Sequence, residues 1–441
     1  MSADTDSQPT PASRVLRNTS LLVIAQAIVT PISILINAIA GRTLGSANFG
    51  LLYQAATFTS FVFLFVEWGQ SNVLTGRVAT QRAAAGELLG SGISFRVAAA
   101  AVALIVVPIV CELAGYDRNF LVVFELAMLG ATFATVTGAC QDVFRGFERT
   151  DFAAASYVAW QLLSAAVVIP TLLSGGGLKM MMVVQVACAA LGMVFVLRVL
   201  PRMQVPRLSV RREWVRDLFR AGHPFILFGL VILLQPLIDA AMMSKFAAAE
   251  SMGWYAAARK LVGILIYPAS ALVAALYPTL CRLNAENPDA YRKTAGDALY
   301  AVTLVVVPIA LGCGLFPELG VAIFGLKDFG PAADDLRILA PYVFLVYFSM
   351  VIGSCLVSAG RQNSWTVVQL GSVVVSAALD PLLITWFQVH HGNGGLGVCT
   401  AAVISEVLMV SGGLWLLPKG ILANVPRASF GRLWGLVRRR A

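Results

Sequence analysis

The chain has 441 residues, of which 58% are hydrophobic and only 12% charged, with a mean hydropathy of +0.80. A soluble domain carries about 25% charged residues, so this chain has too little polar surface to face water, and its composition selects lipid as the solvent. The formal net charge of +9 does not point to nucleic acid, because the basic residues sit in short segments between apolar runs and not on one face.

In chain order, the first 18 residues are polar, with Ser, Thr, Asp and Pro. They are expected to form a disordered cytoplasmic tail without a cleavable signal. A helix needs about 20 apolar residues to cross the hydrocarbon core. Twelve such runs follow, at 19–40, 48–68, 89–111, 119–140, 151–173, 178–200, 221–247, 254–281, 295–316, 334–357, 362–388 and 394–417. The fold class expected is therefore an all-α integral membrane protein with about twelve transmembrane helices. With the N-terminus in the cytoplasm, inside segments hold 23 Lys and Arg and outside segments hold 6. That bias predicts both termini on the cytoplasmic side.

The longest polar stretch, 201–220, contains Trp214, Val215, Leu218 and Phe219 among arginines. The tail at 418–441 carries Phe430, Leu433, Trp434 and Val437 before three arginines. Both read as basic amphipathic segments that meet anionic inner-leaflet lipids.

The halves repeat. AVALIVVPIV at 101–110 matches AVTLVVVPIA at 301–310 in seven of ten positions, including Pro108 and Pro308. Arg42 stands eight residues before Gly50, and Lys245 eight before Gly253, which gives offsets of 200 and 203. Six spans per half is an even number, so both halves enter the membrane in the same sense. This predicts two six-helix bundles, 19–200 and 221–417, related by a pseudo-twofold along the membrane normal, with 201–220 as the cytoplasmic linker.

Little enzyme chemistry is written in the chain. There is no GxxxxGK[ST] loop. The GxGxxG string of Gly392, Gly394 and Gly397 falls in an expected outer loop and reads as a turn with close helix packing. The seven cysteines are scattered and read as small core residues, and no cofactor or metal site is expected. Charges inside helices are more telling, because each costs about 2.5–3.5 kcal/mol at mid-bilayer on insertion scales. The acids are Glu67, Glu125, Asp239, Asp297, Asp380 and Glu406; the bases are Arg96, Arg259 and Lys260. Asp239 lies three residues after Pro236, where a proline frees backbone carbonyls to coordinate ions or line a cavity.

The stretches GRTLGSANFGLLYQAA, VEWGQSNVLTGRVA, LFRAGHPFILFGLVILLQPLIDAAMMSKFAAAESMGWYAAARKL, ALYPTLCRL, ILAPYVFLVYFSMVIGSCLVSAGRQN and GGLGVCTAAVISE together resemble the polysaccharide-transporter branch of the multidrug/oligosaccharidyl-lipid/polysaccharide (MOP) flippase superfamily, which includes the O-antigen flippases. The resemblance implies translocation of a polyprenyl-pyrophosphate-linked oligosaccharide across the inner membrane, with polysaccharide assembly proteins as further partners. It also implies two lobes, a cationic central cavity and alternating access. Arg42, Lys245, Tyr255, Arg259 and Lys260 are the candidate substrate-binding residues. Asp239, Glu67, Asp297 and Asp380 are the candidates for ion coupling or the conformational switch. Glu67 replaces the Asp that many relatives carry before the Trp/Phe-Gly. Two other readings stand beside this one: a cation-coupled multidrug antiporter of the same superfamily, and a membrane polysaccharide polymerase or ligase. The second needs a sizeable outer loop, which the sequence lacks.

Overall fold

The structure is a computed structural model and describes residues 11–203 and 205–424. Among the described residues the regular elements are helices alone. Helix α1 (Pro11–Glu67) has 57 residues. Unbroken, it would be about 85 Å long, nearly three times the ~30 Å hydrocarbon core. It is divided at Gly45, whose φ of 78° and ψ of 167° take the chain out of the helical region where only glycine goes without strain. The first part of α1 begins at Pro11, inside the expected disordered tail. Residues 11–18 are helical instead, because no breaker separates them from the apolar run and proline suits a first helical turn.

The remaining elements are α2 (Gln70–Thr80), α3 (Ala85–Leu113), α4 (Arg118–Gly146), α5 (Thr150–Leu173), α6 (Leu178–Val199), α7 (Arg212–Phe246), α8 (Ala249–Glu286), α9 (Pro288–Leu315), the short α10 (Pro317–Val321) and α11 (Leu326–Phe329), α12 (Ala332–Ser358), α13 (Gln362–His391), α14 (Gly395–Leu416) and α15 (Ile421–Asn424). Eleven helical stretches are long and apolar enough to cross a membrane. The first of them contains the division at Gly45, so it supplies two of the twelve expected runs. Pro108 and Pro308, the pair that reveals the repeat, lie inside α3 and α9, the third span of each half.

The chain forms two compact units. One comprises residues up to Leu44 together with Leu51–Leu233; the other comprises Gly45–Gly50 and everything from Leu234. The amino-terminal part of α7 thus packs within the first unit, well past the expected linker.

In the first unit, a core at one end gathers Leu74 and Val78 of α2, Leu88 and Leu89 of α3, Val143 and Phe144 of α4, and Val196 and Val199 of α6. The segment expected as an interfacial linker is bound to this core. Its 205–211 stretch is not helical, consistent with Pro206, which disfavours helix in the residue before it. It runs against the start of α3 so closely that a Cβ at Gly86 would lie 2.4 Å from the Pro206 carbonyl, and one at Gly90 2.4 Å from that of Ser209. Ser91 Oγ accepts from Arg211 N at 3.0 Å. Arg211 pairs with Glu87 at 2.8 Å and Arg77 with Asp217 at 2.9 Å. Trp214 donates to Glu87 at 3.0 Å. The amphipathic pattern of Trp214, Leu218 and Phe219 therefore belongs to the first turns of α7 rather than to a separate surface helix. The same pattern expected around Trp434 lies outside the described residues.

In the second unit, the Gly45–Gly50 turn is held by Asp328, whose carboxylate accepts Ser46 N at 2.6 Å. Phe49 is buried against Phe324 and Phe329, with centroids 5.5 and 5.6 Å away. The repeat-equivalent glycines meet here: a Cβ on Gly50 would lie 2.7 Å from Gly253 N, and one on Gly253 1.9 Å from Ser46 O. The GNGGLG segment behaves as a turn. Gly392 ends α13 at φ 67°, and Gly397 sits so close to α13 that a Cβ would meet Ile384 N at 2.5 Å. Asn393, on the expected outer loop, is buried and donates to Asp335 at 3.0 Å. Six of the seven cysteines are buried and none is in a disulfide.

Candidate functional site

Each unit buries a cluster of charged side chains, and the two are built differently. In the second unit, Asp239 of α7 is 1% exposed and accepts a hydrogen bond from the Tyr255 hydroxyl of α8 at 2.8 Å. Tyr255 and Arg259 are four residues apart and so share one face of α8. The Arg259 guanidinium lies 5.9 Å from the Tyr255 ring centroid and 5.3 Å from that of Tyr342 on α12, a cation–π arrangement on two sides. Arg259 acts electrostatically on Asp239 and on Glu406 of α14, and Asp239 acts on Asp380 of α13. Asp380 is 0% exposed, and neither of its carboxyl oxygens has a hydrogen-bond partner. Asp239 Oδ1 and Glu406 Oε1 are likewise unpartnered. Arg259 thus lies close to two buried carboxyl groups, Asp239 and Glu406, and a third, Asp380, lies close to Asp239. Both Asp239 and Asp380 stand beside helix-interior prolines, Pro236 and Pro381, where a backbone carbonyl one turn back loses its donor.

Buried charges persist only when paired or neutralised. Asp380 has no hydrogen-bond partner to offset its burial, and the charged neighbour that acts on it is another acid, Asp239. Among the described residues, no three His, Cys, Asp or Glu are grouped tightly enough to form a metal cage by themselves.

The first unit's cluster is closed. Arg96 of α3 is 0% exposed. It donates to the Thr135 carbonyl at 3.0 Å, to Ser71 Oγ at 3.3 Å and to Gln70 Oε1 at 3.4 Å, and it meets Asp142 at 3.5 Å. Asp142 also faces Arg145 at 3.4 Å. Glu67 accepts from the Thr135 hydroxyl at 3.1 Å. This network pins the chain where Trp68 (φ 50°) and Gly69 (φ 64°) break the helix between α1 and α2.

The structure therefore sorts the candidates expected from sequence. Asp239, Tyr255, Arg259 and Asp380 come together in one cluster. Glu67 belongs to the other unit. Asp297 is exposed on α9 and lies apart from the cluster contacts just described. Arg259 and Lys260 separate: Arg259 turns into the acidic cluster, whereas Lys260, about 100° further round α8, is exposed and has no hydrogen bond or ion pair among the described residues. Arg42 and Lys245 are exposed near the ends of the first part of α1 and of α7. Glu406 and Tyr342 were not singled out as site residues, although Glu406 carries the same signal as the other acids, a carboxyl inside an apolar run.

Comparison with known proteins follows the same lines. The family model for polysaccharide biosynthesis proteins matches residues 15–284, and the MatE model matches residues 224–382, which include Asp239, Arg259 and Asp380. No curated protein matches. Among solved structures, the inward-facing conformation of a multidrug resistance MATE family transporter of the MOP superfamily is similar, with a TM-score of 0.66 and 15% identity over 92% of this chain and 96% of that one. A MOP superfamily transporter from Pyrococcus furiosus, described as having a binding pocket of reversed polarity that suggests a different function, gives 0.60 and 15% over 92% and 95%. The outward-facing conformation of a multidrug resistance MATE family transporter gives 0.59 and 15% over 95% and 98%. At this identity the structures speak for the fold, while the polysaccharide biosynthesis model covers more than half of the sequence. The chain is a multi-pass membrane protein of the polysaccharide biosynthesis protein family, in the polysaccharide-transporter branch of the MOP flippase superfamily.

Proposed function

We propose that the chain flips a polyprenyl-pyrophosphate-linked oligosaccharide from the cytoplasmic to the periplasmic leaflet of the inner membrane, by alternating access. On this reading it is a transporter for export of a polysaccharide such as O-antigen or exopolysaccharide, and not an enzyme. The observation that carries it is Lys260. It is a cation well inside a spanning helix, with accessible surface although protein atoms crowd around it, and without a polar partner among the described residues. A cation in that position costs free energy unless an anion visits it, and a pyrophosphate is such an anion. The sugars need the same help, since an unbonded hydroxyl in hydrocarbon costs about 2–7 kcal/mol. Arg42 and Lys245 add positive charge at repeat-equivalent places. The Asp239–Asp380–Glu406 cluster is the coupling element, loading protons or sodium in one state and releasing them in the other. The orientation rests on the Lys and Arg bias, with both termini cytoplasmic.

A second reading, a cation-coupled multidrug antiporter, has its own support. Three carboxyls beside Tyr255 and Tyr342 also suit a lipophilic cation, and the MatE match includes Asp239, Arg259 and Asp380. Deleting the gene separates the two. Loss of surface polysaccharide with lipid-linked oligosaccharide retained on the inner leaflet is the outcome expected of a flippase. Full surface glycan together with sensitivity to cationic drugs would overturn it in favour of the antiporter.

A further inference from the structure

Glu125 is an intramembrane acid singled out in the sequence that, like Asp297, belongs to neither cluster. It lies on α4, seven residues in from Arg118, so its Cα is about 10 Å from the helix start. It opens into a groove of about 330 Å³ whose other walls are Leu104 of α3 and Val122, Leu126 and Leu129 of α4. Glu125 is exposed and has no hydrogen bond or ion pair among the described residues. The surface around the groove is apolar and open: Val97 and Ile105 of α3 and Leu129 are all exposed, the pattern of a face turned to lipid. A carboxylate there costs free energy unless a partner arrives from the membrane. The side chain tilts toward the amino-terminal end of α4, which brings the carboxylate up toward the headgroup region, and bilayers thin locally around such a group.

We infer that this groove binds a phospholipid with a primary-amine headgroup, whose ammonium pairs with Glu125 while part of an acyl chain lies along Leu104, Val122, Leu126 and Leu129. Charge complementarity selects a cationic headgroup group over phosphatidylglycerol. The carboxylate also selects an ammonium that donates hydrogen bonds over the quaternary amine of phosphatidylcholine, which has no N–H. The orientation proposed above would place the site in the outer leaflet, but the site itself does not depend on it, nor on the identity of the transported substrate.

The test uses the purified full-length chain in nanodiscs containing equal amounts of phosphatidylethanolamine, phosphatidylcholine and phosphatidylglycerol. Lipids retained after mild detergent release are read by native mass spectrometry. Wild type should retain phosphatidylethanolamine over phosphatidylcholine by roughly tenfold, the scale of one charge-assisted hydrogen bond. Glu125→Gln should remove the preference at unchanged thermal stability. Glu125→Lys should move it to phosphatidylglycerol. Leu104→Trp, which fills the groove with the carboxylate intact, should reduce phosphatidylethanolamine retention as well. Equal retention of all three lipids by wild type, or a preference that survives Glu125→Gln, would overturn the inference.

Discussion

The two buried charge clusters face the same solvent problem and resolve it differently. In the first unit, Arg96 and Asp142 are paired, Arg145 adds a second cation, and hydroxyl, carboxamide and carbonyl oxygens accept from Arg96, so that every charged group has a polar partner although Gln70 Nε2 has none. In the second, Asp380 has no partner on either oxygen, and Asp239 and Glu406 each keep one oxygen free. At the offset of 200 set by Pro108 and Pro308, the place of Arg96 is taken by Gly296, so the duplication did not carry this arginine into both halves. A satisfied cluster fixes geometry, because no species need enter or leave it. An unsatisfied one stores a charge imbalance that a mobile cation can relieve. On the function proposed above, the first cluster is structural and the second is the coupling element.

The largest effect expected is on folding in the first unit. Arg96→Met leaves Asp142 buried with only Arg145 at the cluster's edge, and breaking a buried pair this way costs about 3–5 kcal/mol. Thermal unfolding in detergent should show a large drop, or the variant should not accumulate. The double variant Arg96→Met with Asp142→Leu should recover part of the loss. A single variant as stable as wild type would show that the pair is not structural and would erase the contrast between the units.

Next is Asp380→Asn. Removing one uncompensated acid should leave stability equal or higher, while coupled transport falls by at least about tenfold, equivalent to about 1.4 kcal/mol. Loss of the protein in place of loss of transport would move Asp380 to the structural side of the comparison. Tyr255→Phe comes third. It deletes the hydroxyl that Asp239 accepts at 2.8 Å, a net contribution of about 1 kcal/mol, so transport should slow severalfold while the cation–π contact of Arg259 persists. An unchanged rate would mean that the hydrogen bond does not set the coupling. The smallest effect is expected for Glu67→Gln. The amide keeps an acceptor for Thr135, and both stability and transport should stay within about twofold, below 0.5 kcal/mol. A transport defect there would restore Glu67 as a coupling residue, as expected from the sequence.

The spans were readable because lipid imposes a minimum apolar length that shows directly in composition, and the break in α1 was readable because Gly45 falls between two such runs. That Asp239 would need a polar neighbour was readable because a carboxylate deep in an apolar segment is costly alone, and Tyr255 is that neighbour. Other features depend on rotation and on distant partners. Arg259 and Lys260 are neighbours in sequence, yet one turn geometry sends them in different directions. The partner of Arg96 was not readable because Asp142 stands just beyond the apolar run that ends at residue 140. Segment 201–220 has the composition of a surface helix, and its contacts with Gly86, Glu87, Gly90 and Ser91 reveal that it is fastened to α3.

On the proposed function, the chain moves a lipid-linked oligosaccharide at the expense of a cation gradient through the second unit. That function is tested most directly with the purified protein in sealed vesicles loaded with a fluorescent polyprenyl-pyrophosphate oligosaccharide. Transfer between leaflets is read by a quencher that cannot cross the membrane. Transfer should accelerate when a proton or sodium gradient is applied, be lost in Lys260→Glu, and no longer respond to the gradient in Asp380→Asn. Transfer by wild type no faster than in protein-free vesicles under any gradient, with uptake of a lipophilic cationic dye in its place, would contradict it.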